Sequence, residues 1–81
     1  MEQTYKIEFT HNDRSRIIEG TLEELIDRFS YKLECGAAYQ HEEGCREVNE
    51  NPEDIDDLIE SLNNAVYNTT RGYGTDYYDY A

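Results

Sequence analysis

The chain has 81 residues, with 19 Asp and Glu against 7 Lys and Arg and a formal net charge of −12. A field of that sign repels nucleic acid and anionic membranes and favours a positively charged partner. So short a chain forms one domain, 1–81, with little volume to spare for a deep catalytic pocket.

The start, Met1-Glu2-Gln3-Thr4-Tyr5-Lys6, lacks the apolar core of a signal peptide. No apolar run approaches the roughly 20 residues that span a bilayer. A cytoplasmic protein is expected, with Cys35 and Cys45 as reduced thiols.

Residues 4–10 alternate apolar and polar, with Tyr5, Ile7 and Phe9 on one side. That period of two predicts a half-buried strand. His11-Asn12-Asp13-Arg14 is turn chemistry, and residues 15–19 predict the returning strand of a hairpin. Gly20 is expected to break it.

Thr21-Leu22-Glu23-Glu24 fits a capping box, with Thr21 as N-cap and Glu24 three residues on. Leu22, Leu25, Ile26, Phe29 and Leu33 then recur at helical spacing. The pattern predicts one helix to about residue 40, loosened at Gly36.

Residues 41–50 have no clean period and predict a loop. Asn51-Pro52-Glu53-Asp54 announces a second helix, with Asn51 as N-cap and Pro52 in the first helical position. Ile55, Leu58, Ile59, Leu62 and Val66 form its apolar stripe. The helix is expected to end between Asn68 and Gly74. The tail from Thr75 has strand propensity. The order is therefore β-β-α-α-β: an α+β fold in which a two- or three-stranded antiparallel sheet carries two helices on one face.

The acid is concentrated. Residues 42–60 hold nine carboxylates (Glu42, Glu43, Glu47, Glu50, Glu53, Asp54, Asp56, Asp57 and Glu60) against Arg46 alone, a net of −8 out of −12. Helical spacing places Glu53, Asp56, Asp57 and Glu60 on one face, opposite the apolar stripe. At 1.5 Å per residue, residues 53–60 carry five carboxylates over roughly 10 Å. That density approaches the one charge per ~1.7 Å of duplex DNA. A protein that binds phosphates through Lys and Arg would accept such an array.

Eight tyrosines and no tryptophan are present. Tyr73, Tyr77, Tyr78 and Tyr80 cluster late, beside Asp76 and Asp79. Tyrosine gives large contact area at low entropic cost, and its ring cushions arginine. These four residues, with Asp76, join the nine carboxylates as candidate partner-binding residues.

Catalytic and metal-binding patterns fit poorly. Cys35, His41 and Cys45 supply at most three zinc ligands at unusual spacing. Asn49, Asn51, Glu53 and Glu60 fall on positions 1, 3, 5 and 12 of a calcium loop, but Asp54 replaces its glycine. Gly72-Tyr73-Gly74 lacks the Lys-Ser/Thr of a phosphate loop. Acid–base catalysis needs a desolvated pocket, which an exposed acidic face does not give. Neither enzymatic activity nor a cofactor or metal is expected.

The segments Phe29-Ser30-Tyr31-Lys32-Leu33-Glu34-Cys35-Gly36, Tyr39-Gln40-His41-Glu42, Asn49-Glu50-Asn51-Pro52 and Leu62-Asn63-Asn64-Ala65-Val66 resemble small proteins encoded by phages and mobile elements. The chain departs from that pattern after Asn-Pro, where acid stands in place of lysine. In size, charge and lack of catalytic motifs it is also similar to phage anti-defence proteins, including anti-CRISPR and anti-restriction DNA mimics. The resemblance implies a non-catalytic inhibitor that occupies a basic nucleic-acid-binding surface of a host defence complex. A CRISPR effector is the first candidate partner and a restriction enzyme the second. The alternative is a small phage regulatory or structural protein, a homodimer, without mimicry.

Overall fold

The hairpin is built on the alternation that opens the chain. A computed structural model describes residues 2–81. In it β1 (Thr4–His11) pairs antiparallel with β2 (Arg14–Thr21) from Thr4↔Thr21 to His11↔Arg14. The connection is a two-residue turn. Asn12 and Asp13 both take left-handed conformations (φ 49° and 65°), the turn whose twist matches that of the strands. Gly20 does not break β2. It pairs with Tyr5 inside the ladder, and its missing Cβ leaves room for Glu24, whose Cβ would lie 3.3 Å from a side chain there.

The predicted capping box forms at once. Thr21 Oγ1 accepts from Glu24 N at 3.1 Å, and Glu24 Oε1 accepts from Thr21 N at 2.9 Å. These bonds to Thr21 hold the Glu24 carboxyl below its ordinary range. The helix that follows is divided, not continuous. Helix α1 (Leu22–Arg28) and helix α2 (Ser30–Ala38) meet at Phe29, whose backbone leaves helical values (φ −100°, ψ 10°). The ring of Phe29 stands edge-on to Tyr78 at 5.5 Å.

Gly36 is not a loosened point. It is buried within α2, where a Cβ would come within 2.3 Å of Ala65 Cβ. The glycine is what lets α2 lie directly on α3 (Ile55–Thr70).

Helix α3 starts later than the sequence suggests. Asp54, not Asn51, is its N-cap, accepting from Asp57 N at 2.8 Å. Asn51 N–H donates instead to Asn49 Oδ1 at 2.9 Å, and Pro52 is buried and outside the helix, where it disfavours helical values at Asn51. At the other end Arg71 (φ 57°) and Gly72 (φ 85°) turn left-handed, and Gly72 N donates to Tyr67 O at 3.2 Å.

The tail supplies the third strand. Strand β3 (Tyr77–Tyr80) pairs antiparallel with β1, giving the sheet order β2-β1-β3. The α+β class holds, with three helices instead of two on one sheet face. Ile7, Ile18 and Tyr78 from the sheet form one core with Leu25, Leu33, Val48, Leu58, Ile59, Leu62, Ala65 and Val66. Among the described residues no helix is long and apolar enough to cross a membrane.

Candidate functional site

The loop that carries most of the acid is an extended strap bound along α3. Its backbone finds side-chain partners in place of a ladder. Asn68, 1% exposed, accepts from Arg46 N at 2.7 Å and donates to Arg46 O at 2.7 Å and Gly36 O at 3.0 Å. Asn64 donates to Glu47 O at 3.0 Å, Gln40 accepts from Val48 N at 3.2 Å, and Ser61 Oγ accepts from Asn49 N at 3.1 Å. Asn49 Nδ2 then donates to Asp57 Oδ2 at 2.7 Å. Val48, 4% exposed, anchors the middle in the core. The partners on α3 descend in order 68, 64, 61, 57 as the strap advances, so the strap runs antiparallel to the helix. Backbone groups bonded at Arg46, Glu47, Val48 and Asn49 hold this irregular segment against the helix.

Glu47 and Glu50 are both exposed on this strap. With Asp57 and Glu60 of α3 they line one open groove. A second, larger groove runs between the α1–α2 face and the strap, lined by Glu2, Glu23, Glu24, Asp27, Glu34 and Glu50. Glu50 and Asn51 line both grooves, so the two are neighbours. Together they are lined by nine carboxylates and by no Lys, Arg or His.

Of the cations near the strap, Arg46 and Arg71 are engaged elsewhere, while Arg28 lies beside Glu24 and Asp27 on α1. Arg46 lies over the ring of Tyr67, 4.0 Å from its centroid. Arg71 pairs with Glu42, donates to Cys45 Sγ at 3.1 Å and lies 5.7 Å from the Tyr39 ring centroid. The Glu42 bond and the negative field of Cys45 raise its pKa further.

The candidate carboxylates therefore divide. Glu47, Glu50, Asp56 and Glu60 are exposed on the strap and the first turns of α3. Glu53 is exposed too but precedes α3, so it is not on the helical face the spacing suggests. Asp54 is occupied as the N-cap, and Asp57 accepts from Asn49 Nδ2 and, at 3.4 Å, from Glu53 N. Glu42 is neutralised by Arg71, and with Glu43 it belongs to the far end of α3, about 24 Å away at 1.5 Å per residue over 16 residues. Sequence reasoning missed Glu23, Asp27 and Glu34. Glu23 and Asp27, four apart, share a face of α1, a signal legible in the chain, but Glu34 lies beyond the break at Phe29 and only the fold sets the three beside Glu50.

The tyrosines do not form one surface with the acid. Tyr78 is core, 5% exposed, its ring stacked on Phe9 at 4.9 Å. Burial, aided by the Asp76 charge, pushes its pKa up to about 12. Pairing with Thr10 places Tyr77 on the sheet face away from the helices. Tyr80 is half exposed at the end of β3, and Tyr73, 91% exposed, stands in the loop after α3. Asp76 pairs with His11 across the hairpin tip. Tyr73 thus stands in the loop at the far end of α3 from the carboxylate grooves and Tyr77 lies behind the sheet, whereas Tyr80, paired with Ile7, is on the helix side of the sheet.

Among the described residues no three His, Cys, Asp or Glu side chains are placed to hold a metal ion. Comparison with protein-family models, curated proteins and solved structures finds no match.

Proposed function

We propose that this chain is a non-catalytic inhibitor, encoded by a phage or mobile element. It occupies a basic, nucleic-acid-binding surface of a host defence complex. The observation that carries this reading is the pair of neighbouring grooves lined by nine carboxylates with no cation among them. Carboxylates held on helices and on a strap bonded to α3 present their charge with little reordering on binding. A preorganised array avoids the entropic cost that weakens flexible binders. Lys and Arg side chains that grip phosphates meet here an anionic surface of similar linear charge.

The contact set is narrower than composition suggests. Glu23, Asp27, Glu34, Glu47, Glu50 and Glu60 face the partner, flanked by Glu53 and Asp56. Asp54, Asp57 and Glu42 hold the scaffold together. Tyr78 fills the core, and Tyr73, Tyr77 and Tyr80 are secondary contacts for a partner large enough to reach around the molecule.

The partner class is a nucleic-acid-binding effector, with CRISPR effectors first and restriction enzymes second. The test is displacement of labelled duplex DNA from purified effector complexes of both kinds, read by electrophoretic mobility. The reading expects stoichiometric displacement from at least one complex. It is overturned if DNA stays bound to every complex at a large excess of this protein.

A further inference from the structure

The two edges of the sheet are finished differently. Asn63 of α3 closes the β3 edge: its Nδ2 donates to Tyr78 O at 2.9 Å and its Oδ1 accepts from Tyr78 N at 2.8 Å. Tyr80 N–H, next on that edge, donates to Asp79 Oδ1 at 2.8 Å. The N–H and C=O of Tyr78 therefore point away from β1. Alternation turns those of Tyr77 and Asp79 toward Thr10 and Glu8, their partners on β1. On β1, Glu8 and Thr10 thus face β3, while Ile7 and Phe9 face Ile18 and Arg16 of β2. The N–H and C=O groups of Ser15, Ile17 and Glu19 are left on the outer edge of β2. Among the described residues no loop or side chain bonds them. Ile17, their central member, is 51% exposed. Unprotected strand edges are templates for further pairing, and monomeric proteins usually blunt them.

Charge along this edge selects the occupant. Arg14 and Arg16 lie at the hairpin end, and Glu19 with the acidic first turn of α1 lies at the other. An antiparallel second copy sets each basic end beside an acidic end, twice over. The register is restricted as well. A two-fold axis at Arg16 or Glu19 opposes that residue to itself, and one at Ser15 opposes Arg14 to Arg16. An axis at Ile18 sets Ile17 against Glu19. An axis at Ile17 opposes Ile17 to Ile17 and Ser15 to Glu19, with no like-charge pair. We propose that β2 is a homodimerisation edge, joining two copies antiparallel about Ile17 into a six-stranded sheet with all helices on one face. Ser15, Ile17 and Glu19 line neither acidic groove, and this inference does not rest on the inhibitor reading.

The test is sedimentation equilibrium of the full chain over a concentration series reaching the millimolar range. The expected result is a mass rising from 9.5 kDa toward twice that value. Ile17→Pro removes the central edge N–H at a position where proline is tolerated, because that N–H faces solvent. It should raise the dissociation constant at least tenfold with an unchanged circular dichroism spectrum. Ile17→Lys, which keeps the backbone and opposes two charges at the axis, should do the same and covers the case in which the proline variant misfolds. A chain that stays monomeric throughout, or a dimer that either folded variant leaves intact, overturns the proposal.

Discussion

Replacing Asn68 by Ala should release the acidic strap, and the size of the effect follows from its bonds. The side chain is 1% exposed and makes three hydrogen bonds, of 2.7, 2.7 and 3.0 Å, to Arg46 N, Arg46 O and Gly36 O. Each net hydrogen bond contributes about 1 kcal/mol, and an abandoned buried partner costs about 1–3 kcal/mol more. Arg46 can regain water once the strap lifts, whereas Gly36 O stays in the helix contact. The expected loss is therefore about 3 kcal/mol. An 81-residue domain has a total stability of about 4–12 kcal/mol, so that loss is large. Asn68→Asp should be no better, because it sets a carboxylate against two carbonyl oxygens. Urea unfolding followed by circular dichroism measures the loss. Amide hydrogen exchange should show Arg46, Val48 and Asn49 losing protection before the sheet does. A loss under about 0.5 kcal/mol, or unchanged exchange at these amides, would refute the account of the strap.

Gly36→Ala should destabilise by about 3 kcal/mol, since overpacking against Ala65 outweighs the roughly 1 kcal/mol gain in helix propensity; chemical denaturation should show no full recovery in the Gly36→Ala, Ala65→Gly double variant, because the added Cβ would also lie 2.5 Å from the Ala65 Cα. Tyr78, with a folded pKa of about 12 against an ordinary 10, favours the native state while neutral, so its contribution is complete below pH 10 and is lost as pH rises toward 12. Tyr78→Phe should fold normally at neutral pH and show a smaller alkaline loss than the parent in thermal melts taken across that window. Serine at both Cys35 and Cys45 should leave folding and partner binding intact, and purified parent protein should carry no stoichiometric zinc by elemental analysis.

The hairpin, the capping box and the third strand were legible because each rests on neighbours in sequence: alternation at Tyr5, Ile7 and Phe9, the Thr21–Glu24 spacing, and β-prone tyrosines in the tail. What escaped depends on residues far apart in the chain. The break at Phe29 reflects packing on Tyr78, 49 positions later, and Gly36 reads as a weak point until Ala65 is set against it. Asn51 looks like a helix cap until Asn49 takes its N–H. The strap has no period because α3 side chains, not a ladder, satisfy its backbone. For the site, the density of acid was plain from composition. Its division into exposed carboxylates and ones occupied in caps and ion pairs was not, nor was the joining of the α1–α2 face to the strap through Glu50.

The most direct test of the carboxylate face measures affinity for the DNA-displaced effector at two salt concentrations. It compares the parent with the variant Glu47→Gln, Glu50→Gln, Asp56→Asn, Glu60→Gln. These side chains are exposed and serve no cap or ion pair, so the variant should fold at least as stably as the parent, with less self-repulsion. Exposed pairs contribute about 0–1 kcal/mol each, so affinity should fall by about 30- to 1,000-fold. The parent's binding should weaken steeply with salt, since screening acts beyond a Debye length of about 8 Å at physiological ionic strength, and the variant's should weaken less. A folded variant with parental affinity and the parental salt dependence would contradict the account, because the carboxylates would then be a solvated surface and not the contact.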